Sequence, residues 1–324
     1  MEKGQVFGIG ETVYDIIFKD NQPQRGVPGG STFNALVSLG RVGVPCSMVT
    51  EAGDDHVADM IYSYLTANGV NSRYVYRHAH TKSHISLAFL DEHNDAHYTF
   101  YKDYAHVRVE SPDLDVTGDD FVLFGSFFAI NPAIRPYVKR MLEQSRLAGA
   151  FLYYDLNFRA SHIHEIPDIL PTIEENMRMS SLVRGSLEDF VNLYGIDDVS
   201  TIYREHIQSF CPYFICTNGG REIRLYTPSL ELSFPVRSVE TVSTIGAGDN
   251  FNAGFIYALR QLNIQRISNE YPTSNGKLQA LSIEDWTGLI DTGQLFAQDV
   301  CRQFSNSISE ELAVRIKNSS SLRG

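Results

Sequence analysis

The sequence predicts an α/β fold: a doubly wound, mostly parallel sheet with helices on both faces, plus a small β-sheet lid. Three observations predict it. Short, nearly continuous apolar runs alternate with segments of helical periodicity, as buried parallel strands and their covering helices do. Two stretches, Thr12 to Phe18 and His84 to Tyr101, instead alternate apolar with polar residues, as half-exposed strands do. The 324 residues are 43% hydrophobic and 20% charged, enough for a large core and too apolar for a disordered chain.

In order along the chain, Gln5 to Ile9 reads as a buried strand. Asn34 to Val42 reads as a helix with Ala35, Leu36, Leu39 and Val42 on one stripe. Cys46 to Val49 is a strand and Val57 to Ala67 a helix. Phe121 to Phe124 is an apolar strand, and Pro132 and Pro136 help to start the helix after it. Phe151 to Tyr154 and Tyr213 to Cys216 are further buried strands, and Phe251 to Leu262 is a helix. The stretch from His84 to Tyr101 crosses the turn Asp91-Glu92-His93-Asn94-Asp95 and reads as a hairpin. The expected organisation is one domain over residues 1–324, with lid segments at about 12–28 and 84–104. Such a lid would stand over the carboxyl ends of the parallel strands, where open α/β sheets bind ligands. Residues 268–280 read as a polar surface loop and 318–324 as a frayed tail.

Charge and composition exclude some functions. Asp plus Glu is 39 and Lys plus Arg is 27, a net charge of −12, and an acidic surface repels nucleic acid. No leader-like basic and apolar run and no membrane-length apolar segment is present, so no membrane partner is expected. Cys46, Cys211, Cys216 and Cys301 show no metal-type spacing and read as small apolar fillers in a reducing, cytoplasmic setting.

Three segments carry chemistry. The run Ser243-Thr244-Ile245-Gly246-Ala247-Gly248-Asp249 opens the helix that follows. Its small residues let backbone N–H groups approach an anion, the helix dipole adds positive potential, and Asp249 can take a proton from an attacking hydroxyl. By spacing alone it reads equally as a plain helix start with an Asp cap. Pro28-Gly29-Gly30-Ser31-Thr32-Phe33-Asn34 permits close backbone approach, and Asn34 offers the donor and acceptor that suit a sugar hydroxyl; alone, it also reads as a turn before a helix. Asp155-Leu156-Asn157-Phe158-Arg159 follows a buried strand, where Arg159 can pair with phosphate or form a surface salt bridge.

Together these segments resemble the ribokinase-like family of carbohydrate kinases, from about Val6 to the end, and the fructokinase-like branch most closely. The family pairs an early Gly-Gly and following Asn with a late Asp-Thr-x-Gly-Ala-Gly-Asp, here Gly29-Gly30…Asn34 and Ser243 to Asp249. The resemblance implies transfer of the γ-phosphate of ATP to a sugar hydroxyl, with ATP and Mg2+ required. It implies Asp249 as base, Gly246, Ala247 and Gly248 as the anion hole, and sugar contacts at Asp15, Gly29, Gly30 and Asn34. Thr217-Asn218-Gly219-Gly220 matches a segment near the nucleotide, so Thr217 and Gly219, with Thr244, Gly246 and Gly248, are the implied nucleotide contacts. Tyr98-Thr99-Phe100-Tyr101-Lys102 resembles the branch's lid stretch and brings Phe100 and Lys102 toward the sugar, with Arg159 near the sugar or the transferred phosphate.

Three departures stand out. Ser243 replaces the Asp that helps to hold a monovalent cation, and a neutral side chain argues against potassium activation. The family's Asn-x-x-Glu for magnesium reads Gly185-Ser186-Leu187-Glu188 here, leaving Glu188 as the metal candidate. Lys102 and His106 stand where the branch has Arg and Asp, and a lysine loses bidentate geometry. Ser243 and Gly185 motivate an alternative, a sugar-sensing binding protein, and ketodeoxygluconate or nucleoside kinases are alternatives within the family. The lid's outer face is expected to meet a second copy in a homodimer. Gly8-Ile9-Gly10 lacks the third glycine of a dinucleotide fingerprint, and the histidines from His78 to His106 read as exposed lid residues.

Overall fold

A computed structural model describes residues 4–92, 96–102, 113–262 and 278–321. Strand β1 (Val6–Ile9) is buried throughout. β2 (Val13–Lys19) and β3 (Gln22–Gly29) are joined through Asp20 and Asn21 at φ 52° and 58°, residue types that tolerate left-handed backbone. Helix α1 (Ser31–Arg41) begins ahead of the expected Asn34 because Gly30, at φ 123°, turns the chain directly into it. β4 (Cys46–Gly53), α2 (His56–Ala67) and β5 (Val70–His78) follow, with the Asp55 carboxylate accepting from Ala58 N–H to cap α2. β6 (Ile85–Leu90) and β7 (Ala96–Tyr101) are the predicted hairpin, and 93–95 of its turn lie outside the described residues.

β8 (Phe121–Gly125) leads into the short α3 (Ser126–Ile130) and then α4 (Arg135–Leu147), where Pro136 occupies the first turn and loses no hydrogen bond. β9 (Phe151–Asp155), α5 (Ile166–Met179), β10 (Leu182–Ser186), α6 (Leu187–Tyr194) and α7 (Val199–Ile202) come next. β11 (Phe214–Asn218) matches the predicted strand, whereas β12 (Glu222–Tyr226) and β13 (Glu231–Pro235) are unpredicted additions. α8 (Ala247–Gln261), α9 (Ile283–Cys301) and α10 (Glu310–Ser321) complete the order. α10 extends to Ser321, past the expected start of the tail at 318, and 322–324 lie outside the described residues. Most of the predicted 268–280 loop lies outside the described residues, and Leu278 within it is buried.

The chain folds as two compact units, each assembled from separate segments: 5–109, 239–259 and 291–324 in the first, and 1–4, 110–238 and 260–290 in the second. In the first, β1, β4 and β5 pair in parallel, and α1 packs on all three. Glycines permit this approach: a Cβ on Gly10 would stand 2.4 Å from Thr32 Oγ1, and one on Gly8 2.5 Å from Leu36. Gly8-Ile9-Gly10 is therefore a packing feature. The same unit holds a separate small sheet ordered β3-β2-β6-β7. Its outer pairs are antiparallel, and β2 runs parallel to β6, since the two come from separate stretches of chain.

In the second unit the strands are ordered β13-β12-β11-β10-β9-β8. They pair in parallel from β8 to β11, then antiparallel through β12 and β13 at the edge. α4 and α5 pack on β9, and α6 on β10 and β11. Every residue of β8 and β9 is buried, as strands covered on both faces require. A large, mostly parallel sheet with helices and a separate small sheet is the fold class predicted from the patterning.

Candidate active site

Within the first unit, two of the three chemical segments meet. Asn34 Nδ2, on α1, donates to Asp249 Oδ2, in the first turn of α8, at 2.8 Å. One turn further on, the Ser38 hydroxyl donates to Asn250 Oδ1 and accepts Ile308 N–H at 3.0 Å. The start of α8 is tightly held. Gly246, at φ 79°, accepts from Asn250 N–H at 2.9 Å and from Asn250 Nδ2 at 2.7 Å. Ala247 N–H donates to Thr244 O at 3.2 Å. Ser243 is buried, and its hydroxyl oxygen accepts Ile245 N–H at 3.2 Å. Ile245 packs with Ile17, Ala88 and Leu90 of the small sheet, with Tyr98 against them, so this apolar contact anchors the run to that sheet.

Asp15 on β2 is 5% exposed. The Ser86 hydroxyl donates to its Oδ1, and Asn306 Nδ2 to its Oδ2 at 3.2 Å. The paired glycines serve it in different ways. A Cβ on Gly29 would stand 2.3 Å from Asp15 Oδ2, so the first glycine makes room for a side chain. A Cβ on Gly30 would stand 2.2 Å from the Glu11 carbonyl oxygen, so the second makes room for backbone.

Lys102 does not stand open at this site. Its Nζ lies 2.9 Å from Glu11 Oε1, and 5.0 Å from the centre of the Phe100 ring. His84 Nδ1 lies 3.0 Å from the same Glu11 oxygen. Burial alone would raise the Glu11 carboxyl, but its bonds to His84 and Lys102 and their charges outweigh burial and hold it below the usual carboxylate range. Phe100 is exposed on β7 and stacks on Tyr98. Two of the four described histidines from His78 to His106 differ from the exposed placement expected of them. His78 is buried 3.2 Å from Glu51, with burial lowering its pKa, and His84 is half-buried on Glu11, while His80 and His97 are exposed. His93 and His106 lie outside the described residues.

The remaining predicted residues belong to the second unit. Arg184 on β10 donates to both Asp155 oxygens, at 3.1 and 3.2 Å, and to Thr217 Oγ1 at 2.8 Å. It thus joins two predicted segments through a residue that no motif singled out. Arg159 is exposed beyond β9, and Asn157, at φ 40°, donates to Ser126 Oγ at 2.8 Å. Gly219 is exposed at φ 50° just past β11. The residues at Asn-x-x-Glu spacing that meet are Ser186 and Asp189, in a reciprocal cap of α6, rather than Gly185 and Glu188. Asp189 is buried. Burial first, then the Asp155 charge, push its carboxyl up to about 6 against the opposing pull of Ser186 N–H and Arg184. Gly185 packs under Phe190, with a Cβ there 2.6 Å from its ring. Among the described residues no three His, Cys, Asp or Glu gather as a metal cage. Glu188 is an exposed carboxylate, a donor that suits magnesium, which keeps several waters and needs only one or two protein ligands.

Sequence reasoning missed Asn306, Glu11 and Arg184. Each acts through a partner distant in sequence, and only Gly10-Glu11, beside a strand end, left any local trace.

A helix whose glycine-led start presents an Asp to the Asn of an early glycine pair, on an α/β body with a small sheet, agrees with the resemblance to carbohydrate kinases. Residues 4–270 match the pfkB family of carbohydrate kinases, and the chain belongs to that family. It is 26% identical to a fructokinase of Rhizobium leguminosarum bv. trifolii over 264 residues, covering 79% of each chain. It is 24% identical to the aminoimidazole riboside kinase of Salmonella typhimurium over 268 residues, covering 80% of this chain and 82% of that one. Among solved structures, a fructokinase double mutant from Vibrio cholerae O395, bound to fructose, ADP and potassium, superposes with a TM-score of 0.82. That match covers 98% of this chain and 99% of the other at 17% identity, a likeness of fold.

Proposed function

We propose that this protein is a fructokinase-like enzyme that transfers the γ-phosphate of ATP to a sugar hydroxyl. One observation carries the reading: the 2.8 Å bond from Asn34 to Asp249, which brings the early glycine pair and the late glycine run together. Asp249 accepts the proton of the attacking hydroxyl. The backbone around Gly246, Ala247 and Gly248, at a helix start, stabilises charge on the transferring phosphoryl group. Asp15, Gly29, Gly30 and Asn34 hold the sugar, with Phe100 at its edge. Lys102 acts through Glu11. Thr217, Gly219 and Thr244 serve the nucleotide, and Arg159 the sugar or its phosphate. Glu188 would hold magnesium through water. When bound, the ion neutralises phosphate charge.

The fructokinase relative supports a hexose substrate, and the riboside kinase relative supports a nucleoside as second reading. The Ser243 site does not fit a cation held by a carboxylate. Its hydroxyl is neutral, buried and engaged with Ile245 N–H, so turnover without potassium is expected. The small sheet serves as a lid that excludes water and limits ATP hydrolysis. Its strand β7 exposes Phe100 and Tyr101, a surface suited to a second copy, and a monomer in sedimentation at micromolar concentration would contradict that. Buried Cys46, Cys211 and Cys216, outside any disulfide, suit a reducing cytoplasm.

The test is ADP release over fructose, ketodeoxygluconate, ribose and nucleosides, with and without potassium. Fructose-dependent release without potassium supports the reading in full. Release with a nucleoside alone moves the substrate to the second reading, and release with none of them contradicts the kinase.

A further inference from the structure

The loop between α9 and α10 lies beyond the residues matched to the family, yet Asn306 within it touches both Asp15 and the start of α8. Its Nδ2 donates to Asp15 Oδ2 at 3.2 Å. Its backbone oxygen accepts Asn250 Nδ2 at 2.8 Å and lies 2.8 Å from where a Cβ on Gly246 would stand. The next residue, Ser307, donates to Asn34 O at 3.3 Å. One short stretch thus grips the Asp15 side chain, the start of α8 and the backbone of Asn34.

Asn306 is 3% exposed, and its Oδ1 has no hydrogen-bond partner among the described residues. An ionised carboxylate can only accept, so Asp15 dictates that Nδ2 faces it and that Oδ1 turns to the side with no donor. What Asn306 supplies at this place is therefore the N–H of its Nδ2. Its partner is Asp15, whose other oxygen is fixed by Ser86. Donors on both oxygens, Ser86 and Asn306 among them, set the plane of the carboxylate.

We propose that Asn306 is a positioning residue: it sets the Asp15 carboxylate for a substrate hydroxyl and ties it, through its own backbone, to the phosphate-handling start of α8. The inference rests on the sugar kinase reading.

The test uses the full chain, with whichever sugar of the panel the wild type phosphorylates. Asn306→Asp keeps the shape but replaces the donor with a second carboxylate, and Asn306→Ala removes the group. Both should raise KM for the sugar by about tenfold or more at pH 8, the effect of losing a charged hydrogen bond, while KM for ATP stays within about twofold. The Asp variant should recover as pH falls toward about 5, because two adjacent carboxylates then share a proton, and the Ala variant should not. If Asn306→Asp does not fold, Asn306→Ala carries the test through the split between the two KM values. An unchanged sugar KM in a folded variant overturns the proposal. So does a parallel loss in kcat and both KM values with no pH response, because that marks general misfolding. A wild type that phosphorylates no sugar at all overturns the kinase reading first and this inference with it, and so separates the two failures.

Discussion

Replacing Gly29 with alanine puts a Cβ 2.3 Å from Asp15 Oδ2 and 3.2 Å from Asn306 Nδ2. Gly29 lies outside the left-handed region that favours glycine, so the backbone itself tolerates alanine. The clash must be relieved by moving the carboxylate by about 1 Å, to an ordinary contact distance. That shift breaks the bonds from Ser86 and Asn306 and misplaces the group assigned to the sugar. A hydrogen bond to a charged group contributes about 1.5–3 kcal/mol, so KM for the sugar should rise roughly 10- to 150-fold. KM for ATP should stay near the wild-type value. Initial rates of ADP formation, with sugar varied at saturating ATP, measure this, and a urea melt confirms that the variant is folded. A folded Gly29→Ala protein with an unchanged sugar KM would refute the placement of Asp15. Gly30→Ala should differ. Its φ of 123° and the Glu11 carbonyl 2.2 Å away strain the backbone, so it should lower the urea midpoint as well as raise KM for the sugar.

Three further outcomes follow from the geometry. The Asp189 carboxyl is raised to about 6 when folded, so its protonated form favours folding, and that contribution is lost as pH rises through about 6. Asp189→Asn should therefore flatten the fall in melting temperature between about pH 4 and 6.5, and gain no more than about 3 kcal/mol at the upper end, while a steeper fall would reverse the sign. Lys102→Met leaves Glu11 with one cationic partner fewer and should destabilise the fold by about 2 kcal/mol or more in urea, where a change confined to sugar KM would make Lys102 a sugar contact instead. Turnover should be the same within about twofold in potassium and in tetramethylammonium, measured at matched ionic strength, and a tenfold potassium effect would mean that carbonyls alone hold the ion beside Ser243.

The sequence made the buried strands legible because each is a nearly pure apolar run, as at Phe121–Gly125 and Phe151–Asp155. It hid β10, where Arg184 interrupts the run and is buried only because Asp155 and Thr217 take up its charge and donors. It hid α5 because Pro167 and Pro171 read as breakers. Pro167 sits in the first turn, and the carbonyl that Pro171 cannot bond is that of Pro167. Helix α8 buries more than its apolar residues. Asn250, Asn252 and Gly254 are buried as well, the last because a Cβ would stand 2.4 Å from Thr292 O, whereas Leu262, expected to close the helix, is exposed. Residues in contiguous motifs, Gly29, Gly30, Asn34 and Gly246 to Asp249, could be proposed because the motifs resemble those of a known family. The partners that orient them could not, because Asn306 meets Asp15 and Lys102 meets Glu11 only after folding, and neither pair leaves a periodic trace.

The most direct measurement is sugar-dependent ADP formation by the wild type and by Asp249→Asn, with sugar and ATP affinities of both measured by calorimetry. The account predicts that the variant binds both ligands within a few-fold of the wild type and turns over roughly 10² times more slowly or worse, as loss of a general base requires. Near-normal turnover in Asp249→Asn would contradict the central claim and move the base elsewhere.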